Sequence, residues 1–168
     1  MKFKIIPIRP DFLLKVRNAG IDDQNQPIEK MIAQGGEPCR DVLRRALPGE
    51  EIILASYCPF TRPGPYKEYG AVFVLAEQSS EVPDFNRLPL PSGSETDYLG
   101  DTFVVRAYSE DERIVDASLS MAGDAQKVIE QFFSNEEVHF ILVRFAAYGC
   151  YAFRIERDTK LESKRVEQ

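Results

Sequence analysis

Much of the chain alternates between hydrophobic and polar positions with a period of two, and a helical period replaces it in a few places. Val138 to Ala146 and Cys150 to Glu156 read as a hairpin turning through Ala147-Tyr148-Gly149. Setting Ala146 opposite Cys150 puts Ile141, Val143, Phe145, Tyr151, Phe153 and Ile155 on one apolar face, and Leu142, Arg144, Ala146, Cys150, Ala152 and Arg154 on the other. Thr102 to Tyr108 and Arg113 to Ser120 form a second hairpin around Glu110-Asp111-Glu112. Setting Ala107 opposite Val115 gathers Phe103, Val105, Ala107, Val115, Ala117 and Leu119 on one face and pairs Arg106 with Asp116. Ile52 to Ala55 is a continuous apolar run, as in a strand covered on both faces. Gly70 to Leu75 makes a further strand. Phe3 to Ile8, closed by Pro7 and Pro10, suits a sheet edge because proline cannot donate to the ladder.

Helical spacing is clearest after Asp124, which is placed to cap a stripe of Ala125, Val128, Ile129, Phe132 and Phe133 ending at Ser134-Asn135. Asp11 is placed to cap a short helix through Asn18 that Gly20 stops, and a turn or two starts at Pro27 with Ile28, Met31 and Ile32 on one face. Cys39, Val42, Leu43, Ala46 and Leu47 recur at helical intervals, with Pro38 in the first turn and Pro48-Gly49 as the stop. Gln78 to Gly100 is a long proline-containing loop with a short helical turn near Asp84 to Leu88. The pattern predicts an α+β domain over 1–156, with a mostly antiparallel sheet of about six to seven strands and three to four helices. A charged tail over 157–168 follows it.

Composition narrows the possible partners. The 168 residues, 43% hydrophobic and 29% charged, are those of one globular unit. Twenty-one basic against 27 acidic residues give a net charge of −6, which opposes the phosphate backbone, so no nucleic-acid partner is expected. MKFKIIPIRPDF has neither the apolar length nor the cleavage site of a signal peptide. No run is long enough to span a bilayer, so a cytoplasmic protein with no membrane partner is expected. Three cysteines make no disulfide framework and are read as reduced thiols. GxGxxG, Walker, HExxH and nucleophile-elbow motifs are all missing. Three cysteines and the single His139 lack the close paired spacing of a zinc site, so no metal or cofactor is expected.

The densest chemistry lies between Glu37 and Glu77. Cys39, at the start of the expected helix beside Arg40, has the setting of a low-pKa thiolate, but its place on the apolar stripe favours a buried small hydrophobe. Arg40 and Arg144 are candidates for two-point contact with a carboxylate or phosphate, or for internal ion pairs. Arg144 and Arg154 share a sheet face with Ala146, Cys150 and Ala152, whose small side chains leave room for a ligand. The proline-stiffened stretch from Tyr57 through Tyr66 to Tyr69 reads either as a binding rim or as a rigid connection capping the sheet. These features support a protein that binds a small anionic ligand through Cys39, Arg40, Tyr57, Tyr66, Arg144 and Cys150. Two alternatives are a thiol enzyme using Cys39 or Cys150, and a protein-interaction module using an exposed sheet face. Oligomeric state is left open.

Pro38-Cys39-Arg40, Leu43-Arg44, Pro48 to Glu50, Ser56 to Phe60, Gly64 to Tyr66, Gly70 and Val72 to Val74 resemble a family of small bacterial proteins known as domain of unknown function 1203. Arg106 to Tyr108 and Gly149 to Tyr151 carry the resemblance onward, so that it runs from about Gly36 to Arg157. It implies a compact single-domain protein without an assigned activity. Many members are understood to carry a cysteine and a histidine near positions 41 and 42 and a histidine after the VFV-like run. Asp41, Val42 and Leu75 stand there instead, so any metal or redox site built on those positions is missing from this chain.

Overall fold

The computed structural model describes residues 2–91 and 98–158 and resolves the alternating pattern into two sheets. Ten strands follow in chain order: β1 (Phe3–Ile6), β2 (Glu29–Ile32), β3 (Pro38–Cys39), β4 (Arg44–Arg45), β5 (Glu51–Tyr57), β6 (Gly70–Leu75), β7 (Thr102–Tyr108), β8 (Ile114–Met121), β9 (Phe140–Phe145) and β10 (Tyr151–Arg157). One five-stranded sheet has the order β1-β10-β9-β7-β8 and the other β2-β5-β6-β3-β4. Every pairing is antiparallel except β3 with β6, which meet in parallel at Cys39 and Phe73. Two α-helices, α1 (Pro10–Leu14) and α2 (Ala125–Phe133), complete the fold, so the α+β class holds. Among the described residues, no helix is long and apolar enough to cross a membrane.

Both faces of the first sheet are buried at its centre, which is why β9 has no exposed position, while the edge strand β8 leaves Leu119 and Met121 exposed. On one face Val105, Ile141, Val143, Phe153 and Ile155 pack against Ala125, Ile129 and Phe133 of α2. On the other, Tyr108, Phe140, Leu142 and Tyr151 meet Ile53, Ala55, Tyr57, Val72 and Val74 of the second sheet, with Phe12 and Val16 closing the layer. Each large side chain so buried stabilises the fold by roughly 1.5–3 kcal/mol before entropy is counted. The far side of the second sheet is covered by its own excursion, where Ala33, Cys39, Val42 and Ala46 pack on Ile52 and Leu75.

Among the described residues the strand count exceeds the expected six to seven and the α-helices number two rather than three to four, because segments with helical spacing pair as strands. Ile28 to Ile32 is not helical. The buried Asp22 carboxylate accepts the Gln24, Gln26 and Ser56 N–H groups, folding the preceding loop so that β2 docks on β5. Cys39 to Leu47 is not helical either: β3 is held to β6, and Leu43 at φ 49 turns the chain back into β4. Tertiary hydrogen bonds override the local period in both places. α1 does end near the expected Gly20 (φ 67), through a π-helical turn over Lys15–Ala19, but its N-cap is Arg9 rather than Asp11. Asp124 does occupy the N-cap of α2, without a side-chain hydrogen bond. Near Asp84 there is a turn closed by Arg87 N–H to the Asp84 carbonyl, and no helix.

Two β-bulges correct the expected faces. In the β7–β8 hairpin Tyr108 opposes Ile114, the register expected, but the next pair is Ala107 with Asp116. Val115 is the extra residue, so Arg106 lies opposite Ala117 rather than Asp116. In the β9–β10 hairpin the expected register holds from Phe153–Val143 to Glu156–Phe140, while a bulge before Phe153 sets Tyr151 opposite Arg144. Ala152 thereby joins the α2-side core, and Tyr151 turns to the layer between the sheets.

β10 continues through Arg157, whose guanidinium donates to the Phe133, Asn135 and Val138 carbonyls. The remaining tail positions, 159–168, and loop positions 92–97 lie outside the described residues. Past them Tyr98 and Leu99 are buried, the Tyr98 hydroxyl donating to the Ala152 carbonyl at 2.8 Å.

Candidate functional site

The β3–β4 turn that replaces the expected helix separates two neighbouring residues. The Arg40 N–H donates to the Phe73 carbonyl at 2.9 Å, and the Ala46 N–H closes the turn on the Glu37 carbonyl at 2.7 Å. Cys39 then points into the apolar layer beside Ile52 and Leu75. Arg40 reaches the opposite way, to the start of β10. Its Nε donates to the Tyr151 carbonyl at 2.9 Å, Nη1 to the Pro38 carbonyl, and Nη2 to Cys150 Sγ at 3.3 Å. Its Cζ lies 5.1 Å from the Phe145 ring centre.

Arg40 is only 2% exposed, yet among the described residues it pairs with no carboxylate. A guanidinium carries five N–H donors, so two of those on Arg40 remain uncommitted. Burying such a charge without a counter-ion is unfavourable, and among the described residues it is oriented carbonyl, sulfur and ring electrons that compensate it.

Around Arg40 opens a pocket of about 810 Å3 between the edge of the second sheet and the β9–β10 turn. Leu54, Tyr57, Ala71 and Phe73 come from β5 and β6, while Tyr148 and Cys150 come from the turn, where Gly149 takes φ 70. Arg144 is buried in its wall, donates to the Gly149 carbonyl at 3.1 Å and pairs with Glu68, while its Nε is buried without a hydrogen-bond partner. Glu68 also lies 3.7 Å from Arg106 Nη1, so the cross-strand partner expected in Asp116 is replaced by a loop carboxylate. Arg45 holds the Gly36 carbonyl and sets its Cζ 5.8 Å from the Phe145 ring centre. Glu37 caps the Gln34 and Gly35 N–H groups, and these bonds hold its carboxyl below the usual carboxylate range against the opposing effect of burial. Three arginines thus face two glutamates in the lining of a protein that is acidic overall.

The walls are aromatic. Tyr57 and Tyr151 sit with ring centres 5.0 Å apart, and burial pushes both phenols above the ordinary tyrosine value. Tyr69 and Tyr148 stand exposed at the mouth.

Of the residues singled out in the sequence, Arg40, Tyr57, Arg144 and Cys150 line this one pocket, and Cys39 and Tyr66 do not. Cys39 is fully buried, and desolvation pushes its thiol up to about 12, which disfavours the thiolate. Tyr66 is part-exposed on the 58–69 loop. Cys58 is buried too, its thiol raised by desolvation. His139 lines a different cleft, with Glu110, Asp111, Glu136 and Glu137. Among the described residues, no group of three His, Cys, Asp or Glu side chains is placed to hold a metal ion. Sequence reasoning missed Glu37, Arg45 and Glu68, which carry no periodic signal. It also placed Tyr151 on the wrong face, an error that only the bulge at Ala152 reveals.

Neither the curated proteins nor the solved structures contain a match. A family model described as "Protein of unknown function (DUF1203)" matches residues 36–157, a span that holds every pocket-lining residue except Gly35. The chain belongs to the DUF1203 family.

Proposed function

We propose that the pocket binds a small anionic ligand, a carboxylate or a phosphate, with Arg40 as its anchor and the tyrosine-rich walls as its enclosure. The observation that carries this reading is the buried Arg40 guanidinium, which among the described residues keeps two donors uncommitted and has no carboxylate partner. An anion supplying two oxygens would neutralise the charge and occupy those donors in one step. The cavity, about 810 Å3, falls within the range of small-molecule sites. A thermal-shift screen with carboxylates and phosphates tests it. A ligand at 100 times its dissociation constant stabilises the folded state by about 2.7 kcal/mol. The shift is expected to vanish in Arg40→Met and to persist in Arg62→Met, at an exposed arginine outside the pocket. Shifts that survive Arg40→Met refute the assignment.

A second reading is a thiol enzyme using Cys150. It is favoured by the Arg40 Nη2 to Cys150 Sγ contact at 3.3 Å, since a neighbouring guanidinium stabilises a thiolate. No histidine lines the pocket to serve as its base. Iodoacetamide titration separates the readings: an enzyme nucleophile reacts faster than a free thiol at pH 7, and this advantage disappears in Arg40→Met.

A further inference from the structure

Resting on the anion-binding reading, we propose that the pocket is built for a monoanionic aromatic carboxylate, a flat ring carrying one carboxylate on a short arm. Three features of the lining define this class.

The first is charge balance. Arg144 is paired with Glu68, whereas Arg40 brings one buried positive charge that no carboxylate among the described residues meets. A single carboxylate neutralises that charge, whereas a phosphate dianion brings a second negative charge beyond the one Arg40 meets, at the cost of desolvating it.

The second is donor geometry. Arg40 retains two N–H groups after serving Tyr151, Pro38 and Cys150, which matches the two oxygens of a carboxylate. The charge of Arg144 is already met by Glu68, so its unpartnered Nε offers a single hydrogen bond and not the second positive charge that a phosphate dianion needs.

The third is the wall. Six aromatic side chains, Tyr57, Tyr69, Phe73, Phe145, Tyr148 and Tyr151, line a cavity with far more room than a bare anion needs. Rings prefer other rings in offset or edge-on packing, worth about 0.5–1.5 kcal/mol beyond the area buried. A flat ligand body gains this contact and a flexible alkyl chain does not, while the chain also loses rotamer freedom on binding. Tyr148, 90% exposed at the mouth, is free to close over such a body.

Four probes test the proposal by calorimetry on the full chain at pH 7.5: 3-phenylpropanoate, 3-phenylpropanamide, phenyl phosphate and octanoate. We expect 3-phenylpropanoate to bind at least about tenfold more tightly than each of the others, a gap of about 1.4 kcal/mol. Its affinity should fall at least about tenfold in Arg40→Met. Tyr148→Ser alters an exposed residue and does not threaten folding. It should weaken 3-phenylpropanoate about threefold or more and leave octanoate unchanged. Phenyl phosphate binding as tightly as 3-phenylpropanoate, in an Arg40-dependent way, overturns the monoanion class while the anion reading stands. Octanoate binding equally well overturns the aromatic class in the same way. An amide that binds like its acid, or no binding by any of the three anions, removes the anion reading together with this proposal.

Discussion

The turn that presents Arg40 is pinned from behind by one ion pair, and breaking that pair should leave a pH signature. Arg17, at the end of the first helical segment, donates to Asp41 Oδ2 at 2.7 Å and to the Leu75 carbonyl at 3.0 and 3.2 Å. Asp41 also accepts the Leu75 N–H at 3.1 Å. The side chains are 14% and 6% exposed, so the pair is largely screened from water. Burial nevertheless holds the Asp41 carboxyl above its ordinary value, outweighing the Leu75 amide and the Arg17 cation. Between the ordinary and the raised value the folded state binds the extra proton, so this group makes stability fall as pH rises through that window. Arg17→Met removes the cation and extends the window upward. Removing one partner of a buried pair costs about 3–5 kcal/mol. The carboxylate escapes by protonating, at about 1.4 kcal/mol for each pH unit above a reference near 4. That route caps its share of the loss at about 4 kcal/mol at pH 7 and about 1.5 kcal/mol at pH 5. Urea unfolding of the wild type, Arg17→Met, Asp41→Asn and the double variant at both pH values measures it. The account expects a loss at pH 7 at least about 1.5 kcal/mol larger than at pH 5, and a coupling of about 2 kcal/mol at pH 7. Equal losses at the two pH values, or a coupling under about 0.5 kcal/mol, contradict it.

Other consequences are quicker to check. Cys39, buried with its thiol pushed to about 12, should stay unmodified by iodoacetamide at pH 8 while half-buried Cys150 reacts; peptide mapping that finds Cys39 labelled first refutes its placement. Gly35 takes φ +103, and a Cβ there would meet Pro48 Cγ at 2.9 Å, so Gly35→Ala should cost about 1–3 kcal/mol, read as a lower urea midpoint. Tyr98→Phe leaves the bulged Ala152 carbonyl without its partner and should cost about 1–2 kcal/mol; an unchanged midpoint removes the idea that Tyr98 holds the bulge.

The fold was legible wherever one local rule and the tertiary contacts agreed. The α2 stripe, the strands at 52–55 and 70–75, and the lower half of the last hairpin follow from periodicity alone. It was illegible where a long-range bond outweighed the period. Cys39, Val42 and Ala46 have helical spacing, yet all three are buried by a turn that Phe73 fixes, 34 residues beyond Cys39. Bulges are equally silent, since one extra residue at Val115 or Ala152 leaves composition unchanged and moves Arg106 and Tyr151 to new neighbours. For the pocket, Arg144, Cys150, Tyr57 and Tyr69 were legible, but of the small residues expected to leave room only Cys150 lines it: Ala152 is buried in the α2-side core, and Arg154 pairs with Glu156 away from the cavity. Nothing local indicated that Arg40 would be buried against Cys150, because the two lie on strands of different sheets or their flanks.

The central claim is that the uncommitted donors of Arg40 hold an anion. A crystal structure of the protein soaked with 3-phenylpropanoate tests it most directly. The account predicts both carboxylate oxygens at about 2.8 Å from Arg40 guanidinium nitrogens, with the ring against the tyrosines of the pocket. A ligand bound elsewhere on the surface, or an Arg40 whose remaining donors point away from the cavity and leave it empty, contradicts it.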